Sequence, residues 1–167
     1  MSFERVCYLW IWREPQRFRE WCAKPALTSI ADEPVDVLQV LFWVFKVLQV
    51  GVFVSWCFIY GSGSLWPASP TLFSLGFGGA LIAAGQILNL SVFHRLGKIG
   101  VFYGNKLGYK IPWSQKFPFS CLRHPQYMGA LLSIWGFFLV TRFPHDDWYL
   151  IPILETVYYA LGAYFER

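Results

Sequence analysis

Long apolar runs, almost free of charged residues, occupy most of this chain after its first 34 residues. A helix rises about 1.5 Å per residue, so about 20 apolar residues cross the roughly 30 Å hydrocarbon core of a bilayer. We expect four such helices, the third of them short, at residues 35–60, 70–93, 126–141 and 148–165. The pattern therefore predicts an all-α integral membrane protein with four transmembrane helices.

The first 34 residues follow a different pattern, in which tryptophan and phenylalanine are mixed with arginine. Such a composition suits the headgroup layer of a membrane better than its hydrocarbon core. We expect residues 1–34 to form a membrane-interfacial segment with an interfacial helix, acting as a surface anchor or, alternatively, as a lipid gate. Its apolar run is too short and wrongly flanked for a signal peptide, so we expect the mature chain to begin at its first residues.

Lysine and arginine residues outside the predicted spans are distributed unequally between the two sides of the membrane. Five precede the first span, six lie within residues 94–125 and one is Arg167, whereas the other side carries Arg142 alone. Because cytoplasmic loops are enriched in these residues, we expect residues 94–125 to be a cytoplasmic loop and both termini to be cytoplasmic. Residues 35–167 would then form one four-span membrane domain, in the endoplasmic reticulum of a eukaryote or the inner membrane of a bacterium.

The composition narrows the class of protein further. Hydrophobic residues make up 56% and charged residues 14% of the 167 positions, which argues against a soluble globule and a disordered chain. A net charge of only +4 disfavours a nucleic-acid partner. The four cysteines and three histidines show no zinc-site spacing, so we expect free thiols and no metal. Assembly into a homo-oligomer is left open.

Two ionisable residues, Lys46 and Glu155, lie deep within predicted spans, where an unpaired charge is costly. Their depths differ by only about 5 Å when counted at 1.5 Å per residue from the span ends. We expect a buried pair or a shared polar cavity that joins the first and fourth spans. In the alternative, Lys46 extends to the interface and Glu155 stays protonated among Tyr158 and Tyr159.

Four glycines, Gly97, Gly100, Gly104 and Gly108, follow one another at intervals of three, four and four residues. On a helix they would form one stripe without side chains, against which something packs closely. The stripe is typical of helix packing, which is also available to Gly79, and it is equally compatible with a bound ligand.

The loop at residues 112–125, PWSQKFPFSCLRHP, contains three prolines and ends where the third span begins. Since His124 precedes Pro125, its backbone is pushed out of the helical region, and Pro125 suits the first position of a helix. Arg123 and His124 would therefore lie at a helix N-terminus, where free backbone amides attract a carboxylate or phosphate. A plain capping loop is the alternative.

Two stretches of the chain resemble a known family. Residues 117–129 match the pattern FPFxxLxxPxYxG, and residues 96–108 match LGxxGxFxGxxxG. Together with Glu166, they resemble the phospholipid and isoprenylcysteine methyltransferases, which are integral-membrane enzymes that use S-adenosylmethionine. The closer resemblance is to the phosphatidylethanolamine N-methyltransferases, and it covers about residues 35–167.

The resemblance implies a set of site residues. In that family, a GxG segment within a span and an acidic pair after the last span contact the methyl donor; these positions fall here on residues 83–85 and 166–167. The implied cofactor-binding residues are Gly85, Gly100, Gly104, Arg123, Pro125, Tyr127, Gly129, Glu166 and Arg167. The residue types suit a donor with a carboxylate, an ammonium and a sulfonium, which favour helix amides, an acid and electron-rich rings.

The reaction itself adds further expectations. An amine must lose its proton before it can attack a methyl group, and His124 or Glu166 is the candidate acceptor. Lys106, Lys110 and Lys116 are candidates for holding the lipid phosphate, although they also fit a role as positive-inside residues.

The sequence thus predicts an S-adenosylmethionine-dependent enzyme that methylates the amino headgroup of phosphatidylethanolamine, or of its partly methylated derivatives, towards phosphatidylcholine. Three alternatives are a protein-S-isoprenylcysteine carboxyl O-methyltransferase, a membrane reductase with a nicotinamide cofactor, and a non-catalytic membrane scaffold. Likeness of fold does not decide among them.

Overall fold

The computed structural model describes residues 2–29, 31–61, 63–65, 71–111 and 114–166, and within these ranges the chain forms helices and no strand. This confirms the all-α prediction. The helices, in chain order, are α1 (Ser2–Arg13), α2 (Pro15–Cys22), α3 (Pro25–Thr28), α4 (Pro34–Tyr60), α5 (Leu72–Val101), α6 (Pro125–Thr141) and α7 (Leu150–Phe165).

Two of the described helices, α4 and α5, are long and apolar enough to cross a membrane. Helix α4 has 27 residues and begins with Pro34 in its first turn, where proline is favoured. Helix α5 has 30 residues and begins with a capping box, in which Thr71 and Ser74 exchange hydrogen bonds. Helices α6 and α7 have 17 and 16 residues, somewhat short of a perpendicular span, so a four-span arrangement stays a prediction.

Helix α5 extends beyond the predicted second span, which ended at residue 93, and continues to Val101. Charged residues end a hydrophobic run, but they do not end a helix, because exposed arginine and lysine are good helix formers. The first part of the expected loop at residues 94–125 is therefore helical.

Helices α5 and α6 pack closely along most of their length, and glycines make the close approach possible. Gly85 faces Gly129, and Gly78 faces Gly136. A Cβ atom added at any of these four positions would overlap the backbone of the facing glycine. Packing through small residues is thus present, whereas Gly79 has open space around its Cα.

The predicted stripe of glycines at residues 97–108 is not a helical stripe. Gly97 breaks the helical backbone of α5 with φ 62° and ψ −175°, a conformation that is essentially restricted to glycine. Gly108 also has a positive φ, 91°, and α5 ends between the two. The three- and four-residue spacing of these glycines therefore did not indicate a helical stripe.

The amino-terminal helices lie within the fold. Helix α1 packs against α7, and α2 packs against α4. Ile11, Phe18 and Leu38 are almost fully buried in one apolar cluster that also includes Val92 of α5. Whether the segment 1–34 also lies in the headgroup layer stays a prediction.

The deep charges Lys46 and Glu155 share one polar cluster in which their ion-pair partners come from α1. Lys46 Nζ lies 3.9 Å from Glu4 Oε1, and Arg5 Nη2 lies 3.9 Å from Glu155 Oε2. Lys46 Nζ also donates a hydrogen bond to Gln49 Oε1 at 2.7 Å. The polar region expected between the first and fourth predicted spans is present, but the ion partners of both residues are supplied by α1.

Candidate active site

A cavity of about 650 Å³ lies between α1, α4, α5, α6 and the end of α7. Its volume is within the range typical of small-molecule sites. Six residues predicted from the sequence line it: Gly100, Arg123, His124, Pro125, Tyr127 and Glu166. The structure therefore brings the loop motif, the first turn of α6 and the acid at the end of α7 to one place.

Glu166 is held by two tyrosines. Tyr103 Oη donates a hydrogen bond to Glu166 Oε1 at 2.8 Å, and Tyr127 Oη donates to the same oxygen at 2.5 Å. Burial raises the pKa of Tyr103 well above its ordinary value, and the neighbouring Tyr127 and Glu166 raise it further. The Tyr103 hydroxyl is thus a permanent donor at neutral pH, and it fixes the carboxylate at the cavity wall.

The N-terminus of α6 forms another part of the wall, and it begins at Pro125 as predicted. His124 is the N-cap residue with φ −126° and ψ 66°, so its backbone is outside the helical region, in agreement with its position before proline. The His124 ring stacks on Tyr127 with ring centroids 5.6 Å apart. The first-turn amides of α6, Arg123 and the imidazole therefore lie beside the Glu166 cluster.

Three glycines predicted to bind the cofactor lie elsewhere. Gly85 and Gly129 contact each other in the α5–α6 interface. Gly104 is buried in the turns after α5, where its N–H donates to Ile99 O at 2.9 Å. None of the three lines the cavity, and Arg167 lies outside the described residues.

The three lysines predicted to hold the lipid phosphate, Lys106, Lys110 and Lys116, are exposed and do not line the cavity. Lys106 Nζ instead lies 4.1 Å from the centroid of the Trp12 ring, a cation–π contact with α1.

Sequence reasoning missed several residues of the cavity wall, among them Tyr103, Arg5, Tyr8 and Gln49. Tyr103 lies within residues 96–108, so the match of this stretch to the family pattern already indicated that this part of the chain belongs to the site. Its side chain reaches Glu166 from a backbone with φ 52°, which spacing does not reveal. Tyr8 of α1 packs against Tyr103, which lies 95 positions later in the chain.

Comparison with known proteins supports the resemblance. The sequence model of the family described as phospholipid methyltransferase matches residues 73–167. This chain belongs to the phospholipid methyltransferase family. The matched region contains the loop motif, Tyr103 and Glu166 and so most of the geometry described above; membership in this family implies a methyl donor.

Curated relatives of this family member are named as phospholipid N-methyltransferases. The phosphatidyl-N-methylethanolamine N-methyltransferase of Arabidopsis thaliana is 32% identical over 128 residues, which are 76% of this chain and 67% of the relative. The phosphatidylethanolamine N-methyltransferases of Rattus norvegicus and Homo sapiens are 33% and 31% identical over 100 residues. This match covers 59% of this chain and 48% of each mammalian relative. No solved structure matches the chain significantly.

Proposed function

We propose that this phospholipid methyltransferase transfers methyl groups from S-adenosylmethionine to the amino headgroup of phosphatidylethanolamine or its partly methylated derivatives, towards phosphatidylcholine. The observation that carries the proposal is the cavity in which Glu166, with its two tyrosines, faces the α6 N-terminus. The names of the relatives from plant, rat and human support the same substrate class. They do not favour the isoprenylcysteine alternative.

The residues of the cavity fit the three charged groups of this donor. The free amides at the start of α6, together with Arg123, suit its carboxylate. Both tyrosines donate to Oε1 of Glu166, which leaves the lone pairs of Oε2 available to an ammonium. The rings of Tyr127 and the stacked His124 offer π faces for the sulfonium. When bound, the donor supplies a methyl group already activated by positive sulfur.

The protein must also accept a proton, because the headgroup amine is an ammonium at neutral pH and cannot attack in that form. His124 lines the cavity at the α6 N-cap, and an imidazole is suited to this exchange near neutral pH. The Glu166 carboxylate already accepts two hydrogen bonds from tyrosines at Oε1, an arrangement that suits the binding of a cation. We therefore assign proton acceptance to His124 and electrostatic binding to Glu166.

The membrane arrangement completes the proposal. Helices α6 and α7 are proposed to cross the bilayer with α4 and α5, by tilt or local thinning where their length requires it. Both termini and the loop after α5 would then face the cytoplasm, so the cavity receives the lipid from the cytoplasmic leaflet. The eukaryotic relatives favour the endoplasmic reticulum membrane.

Product analysis tests the proposal directly. The purified protein in liposomes of phosphatidylethanolamine is incubated with a radiolabelled methyl donor, and the lipids are separated by thin-layer chromatography. We expect label in methylated phosphatidylethanolamines, a strong loss in Glu166→Gln, and no loss in the control Cys121→Ser, whose side chain is exposed. In a parallel reaction with an added prenylcysteine peptide, labelling of the peptide and not of the lipid would contradict the proposed substrate. No binding of the methyl donor at all would favour the scaffold alternative.

A further inference from the structure

The part of the cavity wall formed by α1 carries hydrogen-bond donors that lack acceptors. Arg5 and Tyr8 both line the cavity, and they lie three residues apart on α1, so their side chains share a helix face. Arg5 Nη2 and Tyr8 Oη are both buried and have no hydrogen-bond partner among the described residues. Buried donors of this kind are rare unless a ligand or an ordered water accepts from them.

The charges around these donors are already balanced. Glu155 faces Arg5 and Glu4 faces Lys46, each at 3.9 Å, which is an ion-pair distance but too long for a hydrogen bond. The neighbouring Gln49 accepts from Lys46. The two acids and the two basic residues of this region thus balance one another. A ligand would therefore be bound here by N–H and O–H donors and not by a net charge.

The tyrosine keeps its proton in this environment. Burial and the neighbouring Glu4 raise the pKa of Tyr8 above its ordinary value, so the hydroxyl is available to donate at neutral pH. A guanidinium carries five N–H donors and no acceptor. The ligand group that fits both side chains consists of acceptors only, as do the two free oxygens of a phosphodiester.

The position of these donors matches the geometry of the proposed substrate. Arg5 Cζ lies 3.7 Å from the centroid of the Tyr159 ring, which lies 5.3 Å from the Tyr127 ring centroid. The Tyr8 ring packs against Tyr103 with 6.2 Å between centroids. In an ethanolamine phospholipid, two carbons separate the amine from the phosphate oxygen. An amine beside Tyr127 therefore places its phosphate near α1, whereas the exposed lysines after α5 are outside the cavity.

We propose that Arg5 and Tyr8 bind the phosphodiester of the lipid substrate, so that α1 forms the headgroup subsite of the cavity. This inference rests on the proposed function. Both residues precede the region that the family model matches, residues 73–167, so the subsite is built by a part of the chain outside the family-defining region.

The decisive variant is Tyr8→Phe, because it removes one unpartnered hydroxyl and keeps the ring contacts. Without a ligand, loss of a buried unsatisfied hydroxyl leaves stability unchanged or raises it. We expect the KM for dioctanoyl phosphatidylethanolamine to rise about five- to tenfold, with kcat nearly unchanged. Arg5→Lys retains the charge facing Glu155 but loses the planar guanidinium group with its paired N–H donors. We expect the KM for the lipid to rise in this variant as well. Tyr60→Phe, at an exposed tyrosine, is the control and should leave the KM unchanged.

Two further measurements separate the possible sources of the acceptor group. Calorimetric titration with S-adenosylhomocysteine should give the same Kd for wild type and Tyr8→Phe. A weaker binding of this ligand with an unchanged lipid KM would mean that α1 binds the donor carboxylate and would overturn the proposal.

The second measurement compares substrates. Wild type should prefer the phospholipid to a long-chain primary amine without phosphate, and both Tyr8→Phe and Arg5→Lys should lose part of that preference. If wild type methylates the lipid and Tyr8→Phe does so with the same KM, the subsite is refuted while the proposed function stands. If wild type methylates no lipid, the proposed function itself fails.

Discussion

The glycine contacts between α5 and α6 lead to a prediction that separates helix packing from cofactor binding. A Cβ at position 129 would lie 2.5 Å from Asn89 Oδ1 and 2.8 Å from the carbonyl oxygen of Gly85. The asparagine can rotate away, but the carbonyl belongs to a helix backbone and moves only with α5. Overpacking of this kind costs about 1–3 kcal/mol.

The matched control is Gly79→Ala, because Gly79 is also a glycine within a helix, here α5, and has nothing within 4 Å of an added Cβ. Both variants gain the greater helix propensity of alanine, about 1 kcal/mol, so the difference between them isolates the contact. For a chain of this size, 1 kcal/mol shifts the Tm by about 2–4 °C. The Tm of Gly129→Ala should therefore lie about 2–12 °C below that of Gly79→Ala.

The assay is thermal unfolding of the detergent-solubilised protein, followed by circular dichroism, with S-adenosylhomocysteine affinity measured on the same samples. Equal Tm values for the two variants would refute the packing argument. A normal Tm for Gly129→Ala combined with a weakened ligand affinity would instead place Gly129 at the donor, as the family resemblance implies.

Four further outcomes are expected. A cysteine probe at Ser114 should react from the cytoplasmic side of sealed vesicles, and labelling only from the other side would refute the topology. Tyr103→Phe should weaken S-adenosylhomocysteine binding about three- to tenfold in calorimetry, because Glu166 loses a donor. His124→Gln should lower kcat more than donor affinity, and its deficit should shrink as the pH rises and more amine is already neutral; a deficit independent of pH would remove the role of the imidazole. In a double-mutant cycle on stability, Glu4→Gln and Lys46→Met should couple by at least about 0.5 kcal/mol, whereas additive effects would mean that the 3.9 Å pair contributes nothing.

The features that the sequence predicted well depend on local chemistry. The start of α6 at Pro125 follows from the restricted backbone of proline and of the residue before it. Long apolar runs likewise indicated α4 and α5, because the length of a span is set by the thickness of the bilayer. The grouping of His124, Tyr127 and Glu166 at one cavity was implied by the family resemblance.

The features that were missed depend on contacts between distant parts of the chain. Gly97 and Gly100 have a helical spacing, but the positive φ of Gly97 breaks the helix, and no spacing rule reports the sign of φ. The partner of Glu155 is Arg5, 150 positions earlier. Estimating depths along the predicted spans compares only residues within those spans, and Arg5 lies before the first of them. Tyr103 reaches Glu166 only because α5 ends where it does.

The break at Gly97 has a mechanical consequence. An unbroken helix moves as one rigid body, so a tilt of its apolar part also moves the residues at its end. At Gly97 the backbone leaves the helical conformation within one residue, and the following segment is tied by the Tyr103 hydroxyl to α7 instead. We therefore expect changes in bilayer thickness that tilt α5 to be absorbed at Gly97, so that the carboxylate at the cavity wall keeps its place.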